Sequence, residues 1–309
     1  MRIGLGVGAV ARNDIAVSDL VELFVKAEED GFKAVWVSHS FAADSIMLMS
    51  LAGASTSELE LGTFVIPTYT RHPIAMAQQA LTAASATDGR FTLGIGLSHK
   101  TMIEGIYGLD YSKPIRHMRE YLTVLNGVLA GEPFSFQGEE YDVEVPAFGV
   151  GQISAPPVIV AALGPQMLRL CGRLSDGTAT WLGSKSYLAN QAIPIFKESA
   201  ANVGRENPRI IAGIPVAVTD DVDAAKQTAA KTFANYGTIP SYRAVLDAGG
   251  ASDPEDVVIV GNEQKVTEQI RHLSAIGVTD LNAVPYSIPS DKMSRTRTRE
   301  LLSTLARES

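Results

Sequence analysis

Histidines provide the side chains in this chain that are best suited to move a proton near neutral pH. His39, His72 and His99 each follow a short apolar run. The other two histidines, His117 and His272, fall within helical patterns and are expected to be structural or solvated. His39 is either a proton donor or acceptor beside a bound ring, or a loop residue bonded to backbone. His99 has the same two interpretations, and His72, which precedes Pro73, is predicted to fix a helix start. We take His39 as the first candidate for the catalytic residue and His99 as the second.

The run AALGPQM, residues 161–167, has the pattern of an anion site. A strand ends, the chain turns at Gly164, and Pro165 is favoured in the first turn of a helix. The free N–H groups of Gln166 and Met167 then lie at the positive end of the helix dipole. An ordinary helix start has the same pattern, so both interpretations remain open.

Two glycines alternate in the run FTLGIG, residues 91–96. Gly94 and Gly96 leave one face of this strand without side chains. Such a face serves either tight packing or a flat ring that lies against the backbone.

Motifs for several other chemistries are missing from the sequence. It contains no HExxH motif, no paired CxxC, no carboxylate cluster at metal-ligand spacing and no GxSxG, so neither a metal nor a serine nucleophile is expected. The run GLGVGA, residues 4–9, loosely matches a dinucleotide-binding pattern. We discount it because polar residues 12–14 stand where the helix should begin, and the next strand ends in Ser38-His39 without the acid expected for a ribose.

The composition excludes several classes of partner. The chain has 26 basic and 34 acidic residues, a net charge of -8, which argues against nucleic acid and anionic membranes as partners. Its one cysteine excludes an internal disulfide framework and fits a reducing compartment. The first apolar run is too short for a signal peptide, so a cytoplasmic protein is expected.

Short apolar strands alternate with helical patterns along the whole chain. The predicted strands are residues 3–7, 34–37, 59–65, 91–95, 158–161, 178–181, 210–218 and 280–284. Eight such units predict an α/β fold, a (β/α)8 TIM barrel with its active site at the carboxyl ends of the strands. Residues 134–136 and 141–145 predict a β-hairpin insertion, and residues 220–262 a helical excursion before strand eight. Residues 1–309 are expected to form one domain. Ser18 is predicted to cap the first helix.

The order of these motifs resembles the luciferase-like oxidoreductases. It is most similar to the actinobacterial branch that uses the deazaflavin coenzyme F-420. The matching runs are VWVSHSF, LGTFVIPTYTRHPIAMAQQA, GRFTLGIGLSHK, PIRHMREYLTVL and PPVIVAALGPQMLRLCGRLSDGTATW. The resemblance implies a hydride transfer between coenzyme F-420 and a small organic substrate, and a homodimer paired through its early helices.

The resemblance also implies a cofactor site. A bulge with a non-prolyl cis peptide is expected at Phe64–Val65, behind the cofactor ring, and the cofactor phosphate is expected at residues 164–166. The acidic tail of the cofactor would need Lys100, Arg71 or Lys185 nearby. The implied cofactor-binding residues are His39, Thr63, Phe64, Val65, Gly94, Gly96, Ser98, Ala162, Leu163, Gly164, Pro165 and Gln166.

The sequence departs from the branch at two positions. Many relatives carry Asp-His after strand two, where this chain has His39-Ser40, and sugar-phosphate-oxidising relatives carry a glutamate where this chain has Leu97. Neither a sugar phosphate nor a simple alcohol is therefore supported as substrate. An FMN-dependent monooxygenase and a non-catalytic flavin-binding or deazaflavin-binding barrel remain as alternatives.

The residues that line the substrate pocket are expected in the loops after the strands. These are residues 40–44, 98–112 and 181–186, together with the excursion near Tyr236 and Arg243. Phe41, Tyr107 and Trp181, with Tyr236, predict a partly apolar pocket, unless these rings only pack the loops.

Overall fold

Parallel strands close into a barrel in the computed structural model, which describes residues 1–7, 15–39, 41–147 and 149–309. The strands are β1 (Arg2–Val7), β2 (Ala34–Val37), β3 (Glu60–Thr63), β4 (Ile66–Pro67), β5 (Phe91–Gly96), β6 (Phe134–Gln137), β7 (Asp142–Val145), β8 (Val158–Ala161), β9 (Gly177–Trp181), β10 (Arg209–Val218), β11 (Ile259–Gly261) and β12 (Asp280–Pro285). The order around the barrel is β1, β2, β3, β5, β8, β9, β10 and β12, and β12 pairs back with β1. The eight-stranded barrel predicted from the sequence is therefore confirmed.

Helices surround the barrel and connect its strands. They are α1 (Val17–Glu29), α2 (Ser45–Gly53), α3 (Pro73–Ala86), α4 (Lys100–Gly105), α5 (Pro114–Leu129), α6 (Pro165–Leu174), α7 (Lys185–Tyr187), the π-helical turn Leu188–Ala192, α8 (Ile193–Ala201), α9 (Val222–Thr232), α10 (Ala234–Thr238), α11 (Pro240–Ala248), the 3-10 turn Pro254–Asp256, α12 (Glu263–Ala275) and α13 (Ser294–Arg307). The apolar stripe of α5 faces the barrel, as its spacing predicts. Among the described residues, no helix is both long and apolar enough to cross a membrane.

Trp36 fills much of the barrel interior. Two strands leave room for its ring, because a Cβ on Gly4 would lie 2.7 Å from the indole nitrogen and a Cβ on Gly62 would lie 2.2 Å from the ring. Gly6 also serves barrel packing within β1, since a Cβ there would lie 2.4 Å from the side chains of Asn282 and Val284. The rest of the discounted dinucleotide pattern, residues 8 and 9, lies outside the described residues.

An ion network closes the bottom of the barrel, at the amino ends of the strands. The Arg209 guanidinium binds the Glu60 carboxylate at 2.8 Å and the Asp280 carboxylate at 2.6 Å. Arg209 also lies 5.6 Å from the centre of the Trp36 ring. These carboxylates raise the pKa of Arg209 against the opposing effect of its burial. The network joins β3, β10 and β12 across the barrel.

Replacing Arg209 with methionine should lower the free energy of unfolding by about 1.5–3 kcal/mol, because two largely buried carboxylates lose one of their two shared cations and keep only the more exposed Arg2. Urea titration followed by circular dichroism measures the loss. The matched control is Arg205→Met, which breaks a pair with the exposed Asp176 and should cost less than about 1 kcal/mol. Equal losses in the two variants would contradict the stabilising role of the network.

The hairpin insertion is tied to the barrel through α5. Strands β6 and β7 pair antiparallel, as predicted. The Glu120 carboxylate accepts bonds from the backbone N–H groups of Glu139, at 3.2 Å, and Glu140, at 2.8 Å. His117 lies 2.8 Å from Glu140 and 3.0 Å from the hydroxyl of Thr68, which follows β4. His117 is therefore structural, as expected.

Three local predictions were wrong. The strand predicted at residues 59–65 is interrupted, since β3 ends at Thr63 and β4 pairs with β5. The excursion holds a strand that the sequence did not predict, β11, which pairs with the end of β10. Ser18 does not cap α1, because the helix begins at Val17 and the Ser18 hydroxyl bonds to Asp19.

Candidate active site

A bulge separates β3 from β4 at the carboxyl end of the barrel. The peptide bond between Phe64 and Val65 is cis, as the family resemblance implies. The Thr63 hydroxyl donates to the carbonyl oxygen of Gly94 and accepts from its N–H, both at 2.8 Å. Thr63 is fully buried, so its side chain anchors the bulge to β5 and leaves Phe64 and Val65 partly exposed.

Gly94 and Gly96 make room for this bulge. A Cβ on Gly94 would lie 1.9 Å from the carbonyl oxygen of Thr63, and a Cβ on Gly96 would lie 2.7 Å from a methyl group of Val65. The sequence left open whether these glycines present bare backbone to a ring. In the structure Thr63 and Val65 lie against them, so their contribution to a ring site is indirect.

Replacing Gly94 with alanine should cost about 1–3 kcal/mol of stability or more, because the new methyl group overlaps a backbone oxygen that has no rotamer to adopt. Urea unfolding measures the cost. Gly105→Ala is the matched control: it ends α4 with no atom within 4 Å of its Cβ position. That change should be neutral or slightly stabilising. A Gly94 variant as stable as the control would contradict the packing role.

His39 lies just after β2, within a group of polar side chains. Its Nδ1 is 3.0 Å from the hydroxyl of Ser45, the first residue of α2, and 3.4 Å from the backbone nitrogen of that residue. Its Nε2 is 3.5 Å from a terminal nitrogen of Arg71. Arg71 in turn forms a salt bridge with Asp44, whose carboxylate caps α2 by accepting from the Met47 N–H.

Burial and the neighbouring guanidinium of Arg71 lower the pKa of His39, while Asp44 acts in the opposite direction. His39 is therefore neutral at neutral pH. A neutral imidazole has one nitrogen that donates and one that accepts, which is the state required to take a proton.

His99 occupies a different environment, next to the helical excursion. It precedes α4 without capping it, and its ring packs edge-on against Tyr242 of α11, with 5.6 Å between centroids. Burial lowers the pKa of His99. Ser98, directly before it, adopts a left-handed backbone conformation with φ of 61°. His72 caps α3 by accepting the N–H of Ile74, as predicted.

The amino end of α6 is open. Gly164 is the N-cap in an extended conformation, without a side-chain cap bond, and no atom lies within 4 Å of its Cβ position. Tyr187 donates its hydroxyl to the carbonyl of Leu163 at 2.5 Å and holds the loop before the helix. Ala162 is buried in the barrel wall, so its side chain supports the loop from behind. The arrangement leaves space for an anion at the helix end.

The three cations proposed for an acidic tail differ in their surroundings. Lys100 pairs with Glu104 at 3.8 Å, and Arg71 is engaged by Asp44. Lys185 donates to the side-chain oxygen of Gln269 at 3.3 Å, and burial lowers its pKa. Among the described residues, no carboxylate pairs with Lys185, so it is the best placed of the three to take an anion.

Aromatic side chains from separate loops meet around the mouth of the barrel. Trp181, at the end of β9, lies 6.0 Å from Tyr236 of the excursion, and the exposed rings of Phe41 and Tyr107 stack at 6.4 Å. Arg243 does not join them, because it binds Asp247 and two backbone carbonyls within its own excursion. Residue 40 of the predicted substrate loop lies outside the described residues.

Sequence reasoning missed part of this site. It did not select Ser45 or Asp44 as neighbours of His39, nor Tyr242 as the neighbour of His99. The helix start at about Asp44 was predicted from the sequence and is confirmed, but its closeness to the His39 ring was not predicted. Tyr242 carries no comparable signal. Over the described part of the chain, no group of three metal-binding side chains occurs.

The barrel, the bulge after its third strand and the open helix end define an α/β-barrel protein with a candidate site for a ring and an anion at the carboxyl ends of its strands. The model of the luciferase-like monooxygenase family matches residues 2–280. The chain belongs to this family, and the resemblance predicted from its motifs is confirmed.

A named relative and two solved structures are similar to this chain, the structures in fold. A putative coenzyme F420-dependent oxidoreductase of Mycobacterium tuberculosis is 31% identical over 223 residues, 66% of this chain and 63% of that protein. An F420-dependent secondary alcohol dehydrogenase in complex with an F420-acetone adduct has the same fold, with a TM-score of 0.78, 19% identity and 97% of each chain covered. The oxygenating constituent of 3,6-diketocamphane monooxygenase from Pseudomonas putida, in complex with FMN, has a TM-score of 0.77, 18% identity, and covers 100% of this chain and 98% of that one.

Proposed function

We propose that this protein binds coenzyme F-420 and catalyses hydride transfer between it and a small organic substrate. The observation that carries the proposal is the grouping at one barrel end of the partly exposed bulge at Phe64–Val65, an open helix terminus at Gly164 and a neutral histidine, His39. Family membership and the relative named for coenzyme F420 support the same cofactor.

Three parts of the site suit three parts of this cofactor. The N–H groups of Gln166 and Met167, with the positive end of the α6 dipole, suit its phosphate. Val65 and Phe64 suit the rear face of its ring, and the loop at Ser98 its edge. Lys185 suits a carboxylate of its acidic tail, since the protein as a whole carries net negative charge.

When bound, the deazaflavin ring supplies a carbon that takes or gives a hydride. The protein then has to orient the substrate, exclude water and move one proton. His39 is the residue proposed to move this proton, and His99 is the second candidate. Trp181, Tyr236 and the Phe41–Tyr107 pair favour a partly apolar substrate.

The same fold also supports a second candidate function, an FMN-dependent monooxygenase. The solved diketocamphane monooxygenase, which contains FMN, covers the full chain, and its TM-score of 0.77 is close to the 0.78 of the F420-dependent alcohol dehydrogenase. An FMN phosphate would suit the same helix end at Gly164, so the anion site does not separate the two cofactors.

Titration of the purified protein with each cofactor, followed by fluorescence, separates the candidates. We expect saturable binding of coenzyme F-420 with a dissociation constant at least tenfold below that of FMN. Tight FMN binding without F-420 binding would reverse the ranking. Assay of the reduced complex against a panel of enones, imines and alcohols follows; binding without turnover across the panel would favour the non-catalytic interpretation.

We also propose a homodimer formed through the early helices. Helix α2 exposes Met47 and Leu51, with 67% and 52% of their surfaces accessible, and burial of this face would be favourable. Sedimentation velocity tests the assembly, and a monomer at micromolar concentration would contradict it.

A further inference from the structure

We propose that His99 binds a neutral hydrogen-bonding group of the substrate, and that the aromatic side chains beside it bind the apolar body of the same molecule. This inference rests on the proposed function and names the class of substrate: a neutral, ring-shaped compound that carries a carbonyl, hydroxyl or amide group. The binding role of His99 is separate from the proton transfer proposed for His39.

Four rings form a row along one side of the barrel mouth. His99, after β5, contacts Tyr242 of α11 with 5.6 Å between ring centroids, and Tyr242 contacts Tyr236 of α10 at 4.8 Å. Tyr236 contacts Trp181, at the end of β9, at 6.0 Å. These four residues are the aromatic row. Each contact is edge to face, so side chains from three separate segments form one continuous aromatic surface.

The aromatic row adjoins the surface proposed for the cofactor ring. A Cβ on Gly213 of β10 would lie 2.8 Å from the ring of Phe64 and 3.0 Å from the ring of Trp181, so both rings pack against the same glycine. Phe64, Trp181 and Tyr236 are only partly buried. A molecule that reacts with a ring bound at the bulge would therefore pack against Trp181 and Tyr236, which favour an apolar, ring-shaped body.

The ring nitrogens of His99 are available to a ligand. Among the described residues, no group forms a hydrogen bond with either nitrogen, and both remain accessible to solvent. His39 differs, because its Nδ1 lies 3.0 Å from the Ser45 hydroxyl and its Nε2 lies 3.5 Å from the Arg71 guanidinium. A half-buried polar group without a protein partner is satisfied by water or by a ligand. His99 thus offers the substrate a donor and an acceptor that the protein does not use.

The surroundings of His99 favour a neutral partner. Burial lowers the pKa of His99, and no charged side chain in the described part of the chain adds to this effect or opposes it. Tyr242 beside it is also uncharged, since burial raises the pKa of its phenol. A charged ligand group would lose hydration here without meeting a counter-ion, which costs far more than the burial of a neutral group that is hydrogen-bonded.

Either tautomer of His99 can bind such a group. A neutral imidazole has one nitrogen that donates and one that accepts. A carbonyl oxygen pairs with the N–H, whereas a hydroxyl or an amide pairs with either nitrogen. Recognition of this class of substrate therefore does not depend on which nitrogen carries the proton.

Matched ligands test the assignment on the cofactor-free protein. Acetophenone is a neutral aromatic ketone, α-methylstyrene has nearly the same shape with a methylene group in place of the carbonyl oxygen, and benzoate has a similar size with a negative charge. Saturation-transfer NMR measures the affinity of each ligand. We expect acetophenone to bind more tightly than benzoate and to shift the ring signals of His99, which are identified by their loss in His99→Phe.

Variants separate the two parts of the proposed site. His99→Phe keeps the ring contact with Tyr242 but removes both nitrogens, so it should weaken acetophenone binding about threefold to tenfold, the effect of one neutral hydrogen bond, and leave α-methylstyrene within about twofold. Tyr236→Leu should weaken both ligands by the same factor. Lys100→Met is the control, because it removes an exposed cation next to His99 that pairs with Glu104, and it should change neither affinity.

Three results of this titration would overturn the inference. They are equal effects of a folded His99→Phe variant on the two uncharged ligands, benzoate binding as tight as that of acetophenone, and no saturation by acetophenone at its solubility limit. None of them depends on coenzyme F-420, so failure of the cofactor titration would overturn the proposed function without deciding the role of His99.

Kinetics of the loaded enzyme separate binding from proton transfer by His99. With a carbonyl substrate that turns over in the panel, His99→Phe should raise KM about threefold to tenfold and leave kcat within a few-fold. A fall in kcat of about 100-fold at unchanged KM would make His99 the residue that moves the proton and would overturn its role in binding.

Discussion

Replacing His39 with alanine should lower the single-turnover rate of substrate reduction by pre-reduced coenzyme F-420 at least about 100-fold, at the low end of the range for general acid–base catalysis. The reason is that the group proposed to exchange a proton with the reacting substrate is lost. Cofactor affinity should stay within a few-fold, because the proposed phosphate site at α6 and the bulge at Phe64–Val65 do not depend on the imidazole. Stopped-flow absorbance measures the rate, and fluorescence titration measures the affinity.

A matched control exists in the loop after β4. His72 also follows a strand near the barrel mouth, but it caps α3 through the N–H of Ile74. His72→Asn retains a good capping group, so the rate should remain within a few-fold of wild type. If His39→Ala reacts as fast as His72→Asn, His39 only lines the pocket, and the proton comes from His99 or from water.

The barrel was predictable because its signal is local and repeated. Short runs such as β2 and β5 are buried on both faces, and each is followed by a helical stripe such as that of α5. The hairpin has a similar local signal in the alternation of its two strands around residues 137–138. These patterns depend on the period of apolar residues, which the sequence carries directly.

The interruption after β3 was predictable only through the family resemblance. Alternation continues through residues 59–65, and the backbone departs from the strand because Thr63 bonds to Gly94 on a neighbouring strand. Strand β11 was missed for a related reason: its three residues gain their conformation by pairing with β10. Pairing partners that are distant in the chain leave no periodic signal.

The surroundings of His39 depend on the tertiary structure as well. Asp44, Ser45 and Arg71 come from two segments that meet only when the ends of β2 and β4 lie side by side at the barrel mouth. The sequence indicated Asp44 only as a helix start and Arg71 as a candidate for the cofactor tail, and it gave no signal for Ser45. The structure engages Arg71 with Asp44 and His39, and Lys185 is therefore the residue that we propose for the tail.

Replacing Gly164 with aspartate should abolish binding of coenzyme F-420. A carboxylate at this N-cap would accept hydrogen bonds from the free N–H groups of α6. It would also put negative charge where the cofactor phosphate is proposed to lie. Two like charges about 4 Å apart near a protein surface repel by about 4 kcal/mol, roughly a thousandfold in affinity. Fluorescence titration in low-salt buffer measures the loss.

The structure allows this substitution to act on binding without unfolding the protein. Gly164 has φ of -83° and ψ of 151°, which any residue adopts, and no atom lies within 4 Å of its Cβ position. Aspartate is a favoured N-cap, so the melting temperature should stay the same or rise. Gly164→Asn is the matched control: it has nearly the same shape and capping ability without the charge, and should lose far less affinity. Equal affinities for wild type and a folded Gly164→Asp protein would show that no phosphate binds at this helix end.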